Sequence, residues 1–244
     1  MNPAPPHAAV LVAHGDRGGV APNAALRAQA DAVRALTGIT VVTPGVLKGE
    51  PTLEDALAQA VASGASRIAV YPLFMADGYF MRKVRERVEA VGVRPEPSIL
   101  APLGLDPALS DILVREAASA AETRGFEPLT SRLLIVGHGS KLGPASANAT
   151  RKAAARAAIA RRFASVTTAF LEEEPFLDDV LAASPTPTVV AGFFFGEGMH
   201  GGEDVPDAIA ETGANAVYAG AIGNSPAVAP LIAAALTANL AQSS

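Results

Sequence analysis

The chain is written twice. Val10-Leu11-Val12-Ala13-His14-Gly15-Asp16 returns as Leu134-Ile135-Val136-Gly137-His138-Gly139-Ser140, and position 14 maps to position 138, an offset of 124 residues. The same offset carries Gly45 to Asp55 (GVLKGEPTLED) onto Ala169 to Asp179 (AFLEEEPFLDD). Further on the register slips by a few residues, so that Pro72 to Phe80 (PLFMADGYF) pairs with Gly192 to His200 (GFFFGEGMH), setting Phe80 opposite His200. A unit of this length is a domain and not a solenoid repeat. Two domains follow, residues 1–124 and 125–244, joined at the polar, Gly- and Pro-bearing stretch Glu122 to Pro128.

Each copy alternates short apolar runs with helical stretches. In the first, strands are expected at 8–13, 39–42, 67–73 and 98–100, with helices at 24–36, 52–62 and 81–91. In the second, strands are expected at 133–136, 166–170, 189–194 and 216–219, with helices between them and a last helix from about Pro226. An Ala-rich helix from Ala147 to Ala160 has a basic face. Apolar strands separated by helices predict an α/β fold: two duplicated Rossmann-like domains, each a four-stranded parallel sheet flanked by helices, with a cleft between them. Ligands of such sheets bind beyond the carboxyl ends of the strands. His14 and His138 follow the first strands, Lys48 and Glu172 the second, and Phe80 and His200 the third.

With 244 residues, half of them hydrophobic, the chain can bury a substantial core. It has no cysteine, which excludes disulfides, thiolate nucleophiles and thiolate metal sites and leaves His, Asp and Glu as metal ligands. A net charge of −5 and no Trp argue against nucleic acid as a partner. No apolar run is long enough to cross a bilayer, and the N-terminus lacks the order of a signal peptide. A cytoplasmic protein is the expectation.

Imidazole and carboxylate suit divalent iron, cobalt, nickel or zinc, so His138, His200 and Glu172 form a candidate metal set. A single histidine after a strand is more often a packed or hydrogen-bonded residue than a ligand, and it is the shared strand-end location that favours the metal set. Gly139 and Gly198 allow close backbone approach, as plain turn glycines also do. The apolar strand ending in His138-Gly139-Ser140, then Phe170-Leu171-Glu172 with Pro175, then Phe193 to His200 running into Glu203-Asp204-Val205-Pro206, resembles the sirohydrochlorin chelatases. That family inserts Fe(II) or Co(II) into sirohydrochlorin for siroheme or cobalamin, and the resemblance covers nearly the whole chain. It implies that His138 and His200 are catalytic, binding metal and accepting protons, and that Glu172 is an auxiliary acid at the same site. It implies sirohydrochlorin or a related tetrapyrrole and a divalent metal, Fe or Co, as substrates, and no organic cofactor.

The first copy departs from this pattern: Asp16 stands for Ser140, Lys48 for Glu172 and Phe80 for His200. Its metal site is expected to be degenerate, leaving packing and substrate contact, with His14, Ser140, Phe80 and Arg82 as candidate substrate-binding residues. His14 serves equally as a structural residue. The segment Met81 to Arg87 is basic, whereas 201–211 is acidic, with Glu203, Asp207 and Glu211 at helical spacing. Phe193-Phe194-Phe195 reads as core. Internal duplication points to a monomer. The alternative is a non-catalytic metal or tetrapyrrole carrier on the same fold. A sugar-phosphate binder finds no Gly-rich phosphate loop, and a hydrolase built on Ser140 and His138 finds no nucleophile elbow.

Overall fold

The structure, a computed structural model, describes residues 6–15, 23–141, 143–183, 185–196 and 200–242, with the side chains of His200 and Gly201 outside the described set. Asp16 and Gly198 also lie outside the described residues. In chain order the elements are β1 (His7–Ala13), α1 (Ala24–Leu36), β2 (Val41–Val46), α2 (Leu53–Ala62), β3 (Arg67–Pro72), α3 (Tyr79–Val91), β4 (Ser98–Ile99) and α4 (Pro107–Arg124). The second half follows with β5 (Arg132–Gly137), α5 (Ala145–Ile159), β6 (Ser165–Phe170), α6 (Leu177–Ala182), β7 (Thr188–Gly192), α7 (Val205–Thr212), β8 (Ala216–Ala221) and α8 (Val228–Ala241).

Both sheets are four-stranded and parallel, ordered β2-β1-β3-β4 and β6-β5-β7-β8. The α/β class and the duplicated four-stranded parallel sheet are therefore as expected. Parallel neighbours require crossovers, which the helices supply. β1 and β5 sit second in their sheets and are apolar on both faces. Ala8, Val10 and Val12 pack with Leu53, Leu57, Met81 and Val84. Their counterparts Leu134 and Val136 pack with Leu177, Leu181, Phe194 and Val205. Phe193 and Phe194 are buried, as the core reading requires, but both lie beyond the end of β7. β2 begins and ends later than 39–42 and runs through Pro44. It is an edge strand, paired on one side only, where a missing N–H is tolerated.

The matching helices α2 and α6 start at equivalent positions, Leu53 and Leu177, with different residues before them. Thr52 caps α2, its hydroxyl accepting from the Asp55 N–H at 3.0 Å while the Thr52 N–H donates to Asp55 Oδ2 at 3.3 Å. Phe176 stands at the matching position and offers no cap, and α6 is six residues long against ten for α2.

Compact packing units differ from the sequence halves 1–124 and 125–244. One unit holds residues 1–103 with 226–244, the other 104–225. The reason is that each apolar helix face settles where it can be covered. α4 buries Leu109, Leu113, Ala117 and Ala121 and packs against α5, β7 and β8. α8 packs against α1 and β3. Ser98 donates to Asn239 at 2.7 Å, and the Arg67 guanidinium donates to the carbonyl oxygens of Leu240, at 2.8 Å, and Gln242. The terminal helices are thus exchanged between the repeats. The expected linker also begins later than Glu122, because Glu122 to Arg124 complete α4 and Gly125, at φ +80°, caps it. Among the described residues, no helix is long and apolar enough to cross a membrane.

Candidate functional site

The carboxyl end of each sheet is built by the same backbone bonds. The Leu47 N–H donates to Ala13 O at 3.0 Å and the Lys48 N–H to His14 O at 2.9 Å. Shifted by 124 residues, the Leu171 N–H donates to Gly137 O at 3.2 Å and the Glu172 N–H to His138 O at 3.0 Å. The Val46 N–H to Pro51 O bond has its copy in Phe170 to Pro175, both 2.9 Å. Lys48 and Glu172 therefore occupy one architectural position, beside the histidine that ends the first strand. Phe80 lies in the first turn of α3, and His200 opens the π-helical turn His200–Asp204 that leads into α7. Phe80 is thus inside the helix after the third strand, whereas His200 lies five residues before the first residue of α7.

In the second unit the His138 imidazole is brought to Glu172, with Nδ1 at 3.7 Å from Oε2, and both side chains are partly exposed. Nδ1 also lies 3.1 Å from the Gly139 carbonyl oxygen. A carbonyl only accepts, so in this bond Nδ1–H is the donor. Metal-binding histidines use the same arrangement, one ring N–H held by a carbonyl and the other nitrogen presented to the metal. The His200 side chain lies outside the described residues. Among those described, no group of three His, Asp or Glu could hold a metal ion, so His138 and Glu172 are the part of the expected set that is brought together. Ser140 follows on the same turn, half-buried.

Two residues that sequence reasoning did not assign to the site support it. Glu173 packs against Gly139, and its buried Oε1, which makes no hydrogen bond, is 3.9 Å from Arg151 Nη2. The Arg151 guanidinium lies 4.9 Å from the centre of the Phe170 ring. The signal available in the sequence was the run of three glutamates and a basic helix, which does not say which acid turns inward. Gly139 is required here: at φ +76° a Cβ would come within 2.9 Å of Glu173 Cγ and 3.3 Å of the Glu173 nitrogen. Gly139→Ala is expected to cost about 1–3 kcal/mol from the left-handed backbone alone. A thermal melt should fall by about 2–4 °C for each kcal/mol, and metal titration should show weaker binding because the Glu172 loop is displaced.

The first unit carries the matching positions with different chemistry. His14 Nδ1 is 3.2 Å from Gly15 O, the counterpart of the bond from His138 to Gly139. Its ring meets the Phe80 ring edge-on, centroids 4.7 Å apart at 61°. Phe80 stacks on Phe74 at 5.6 Å and meets Tyr79 edge-on at 5.4 Å. Arg82 and Lys83 reach over the Tyr79 ring at 5.3 and 5.7 Å. Lys83 pairs with Glu86 at 2.7 Å, and this hydrogen bond holds its ammonium above the ordinary lysine range. Arg82 shares the same carboxylate at 3.9 Å. Of the four candidate substrate-binding residues, His14 and Phe80 are in contact, Arg82 joins them through Tyr79, and Ser140 belongs to the other unit.

The CbiX family model matches residues 8–120 and again 132–239, once for each repeat. Among solved structures, CbiX, the terminal enzyme for biosynthesis of siroheme in denitrifying bacteria, is 31% identical with a TM-score of 0.79, covering 96% of this chain and 99% of that one. SirB from Bacillus subtilis with Fe3+ is 20% identical with a TM-score of 0.82 over 95% of this chain and 94% of its own, a likeness of fold. A relative described as Probable sirohydrochlorin cobaltochelatase, from Halobacterium salinarum, is 25% identical over 263 residues, 92% of this chain and 89% of its own length. With both halves matched, the chain belongs to the CbiX family.

Proposed function

We propose that this protein is a sirohydrochlorin chelatase, inserting Fe(II) or Co(II) into the macrocycle at the carboxyl end of the second sheet. The observation that carries the reading is His138 at the end of β5, its Nδ1 3.1 Å from the Gly139 carbonyl oxygen and 3.7 Å from the Glu172 carboxylate. Insertion exchanges one divalent cation for two pyrrole N–H protons. A neutral imidazole does both necessary acts near neutral pH: it holds the cation and takes a proton. In this reading His138 and His200 share those acts, and Glu172 contributes negative charge that draws the cation in. The first repeat, in which Lys48 stands where Glu172 does, contributes substrate contact through His14, Phe80 and Arg82. One chain carrying both repeats suits action as a monomer. Names among the relatives pair the family with siroheme, with Fe3+ and with cobaltochelatase activity, which is why iron and cobalt are the metals to test first.

The test is an anaerobic absorbance assay of sirohydrochlorin with Fe(II), Co(II) and Ni(II) in turn, with and without the protein. Acceleration with iron or cobalt is expected. No acceleration with any metal, together with binding of either substrate, would move the reading to a carrier.

A further inference from the structure

The first repeat has lost the means to hold a bare cation while keeping one imidazole. At its strand ends Lys48 replaces the carboxylate and Phe80 the second histidine, yet His14 remains, exposed just beyond β1. One imidazole is a poor site for a free divalent ion. It is sufficient for a metal already held in plane by the ring nitrogens of a tetrapyrrole, whose open axial position takes a single nitrogen donor. What surrounds His14 suits the rest of such a ligand. Phe80 and Tyr79 are among the large hydrophobic side chains left exposed, at 40% and 48%, and Phe80 is seated on buried Phe74. Next to them Arg82 and Lys83 share one carboxylate, Glu86, leaving an excess of positive charge beside the aromatic surface. Arg85 is matched by Asp77 and Arg87 faces Glu54, so the excess lies at the aromatic end of α3.

We propose that the first unit carries a binding site for a metallated, carboxylate-bearing tetrapyrrole, with His14 Nε2 as axial ligand, Phe80 and Tyr79 against the ring, and Arg82 and Lys83 at its carboxylates. The site distinguishes product from substrate, because a metal-free ring offers nothing for His14 to ligate. It rests on the chelatase reading for the source of its ligand, and its physical basis lies wholly in residues of the first unit.

The full-length protein is titrated with cobalt(II) uroporphyrin, a polycarboxylate metalloporphyrin, and with metal-free uroporphyrin, following absorbance and the electron paramagnetic resonance of cobalt. Wild type is expected to bind the cobalt form and show splitting from an axial nitrogen. His14→Ala should lose that splitting and bind the cobalt form about tenfold more weakly, with a smaller loss for the metal-free ring. Arg82→Ala/Lys83→Ala should weaken both forms and leave the splitting in whatever complex forms. The splitting should persist in His138→Ala/His200→Ala. If His14→Ala does not fold, His14→Gln serves in its place. Absence of splitting in wild type, or its survival without His14, overturns the proposal, as does its loss in the His138/His200 variant. Failure of the chelatase reading appears separately, as a wild-type protein that binds cobalt uroporphyrin with the splitting and inserts no metal into sirohydrochlorin.

Discussion

His138→Ala is expected to slow metal insertion by about 10²–10⁴-fold, the range over which a positioned acid or base contributes. The effect is this large because the one imidazole brought to Glu172 is assigned to the reacting centre, holding the cation before transfer and taking a proton once the cation has left. Glu172→Gln keeps the shape and the loop bonds, including the Glu172 N–H to His138 O bond at 3.0 Å, and removes only charge. Its effect should be smaller and concentrated in the metal concentration needed for half-maximal rate. The two variants are compared by steady-state kinetics under anaerobic conditions, at saturating sirohydrochlorin with the metal varied. Melting curves should barely differ from wild type, since both side chains are partly exposed. A His138→Ala protein as active as wild type would remove this residue from the mechanism.

Deletion of residues 226–244 is expected to unfold the first unit although the deleted segment lies at the far end of the chain. Val228, Ile232, Leu236 and Leu240 of α8 are each buried to within 4%. At roughly 1.5–3 kcal/mol for each such side chain, their loss amounts to about 6–12 kcal/mol, an upper estimate because unfolded chains already cover some surface. That is comparable with the whole stability of a typical protein, about 5–15 kcal/mol. The deletion also strips Asn239 from Ser98 and the helix-end carbonyls from Arg67. Hydrogen exchange followed by mass spectrometry should show peptides from β1, α1 and β3 losing protection, with those from β5 to β8 affected less. Equal loss in both units, or none in the first, would contradict the exchanged-helix packing.

Much of the fold was legible because the strands are buried on both faces and read as apolar runs, and because the repeat allowed each half to check the other. The boundaries that shifted have local causes. β2 was read as ending at Val42, before Pro44 and Gly45, residues that break most strands but not an edge strand with an open side. α4 went unread because its apolar residues are spread around it and its partners are α5, β7 and β8, which lie far along the chain. The exchange of α4 and α8 is a choice among tertiary partners that periodicity does not encode.

The site divides in the same way. His14, His138, Lys48 and Glu172 were legible from position, since a residue at the end of a parallel strand faces the ligand side whatever its neighbours. The packing of Glu173 on Gly139, and the placing of Arg151 over Phe170, depend on side-chain directions across α5 and β6. So does the stack from Phe74 through Phe80 to His14, where the substitution of Phe for His was readable as a loss and the resulting aromatic surface was not.

The division of labour between the repeats is tested most directly by X-ray absorption at the cobalt edge of the Co(II)-loaded full-length protein, compared across single histidine variants. Imidazole ligation should be present in wild type and fall by one nitrogen donor in His138→Ala. A spectrum unchanged in His138→Ala and altered instead in His14→Ala would place the bare metal in the first repeat and contradict the account.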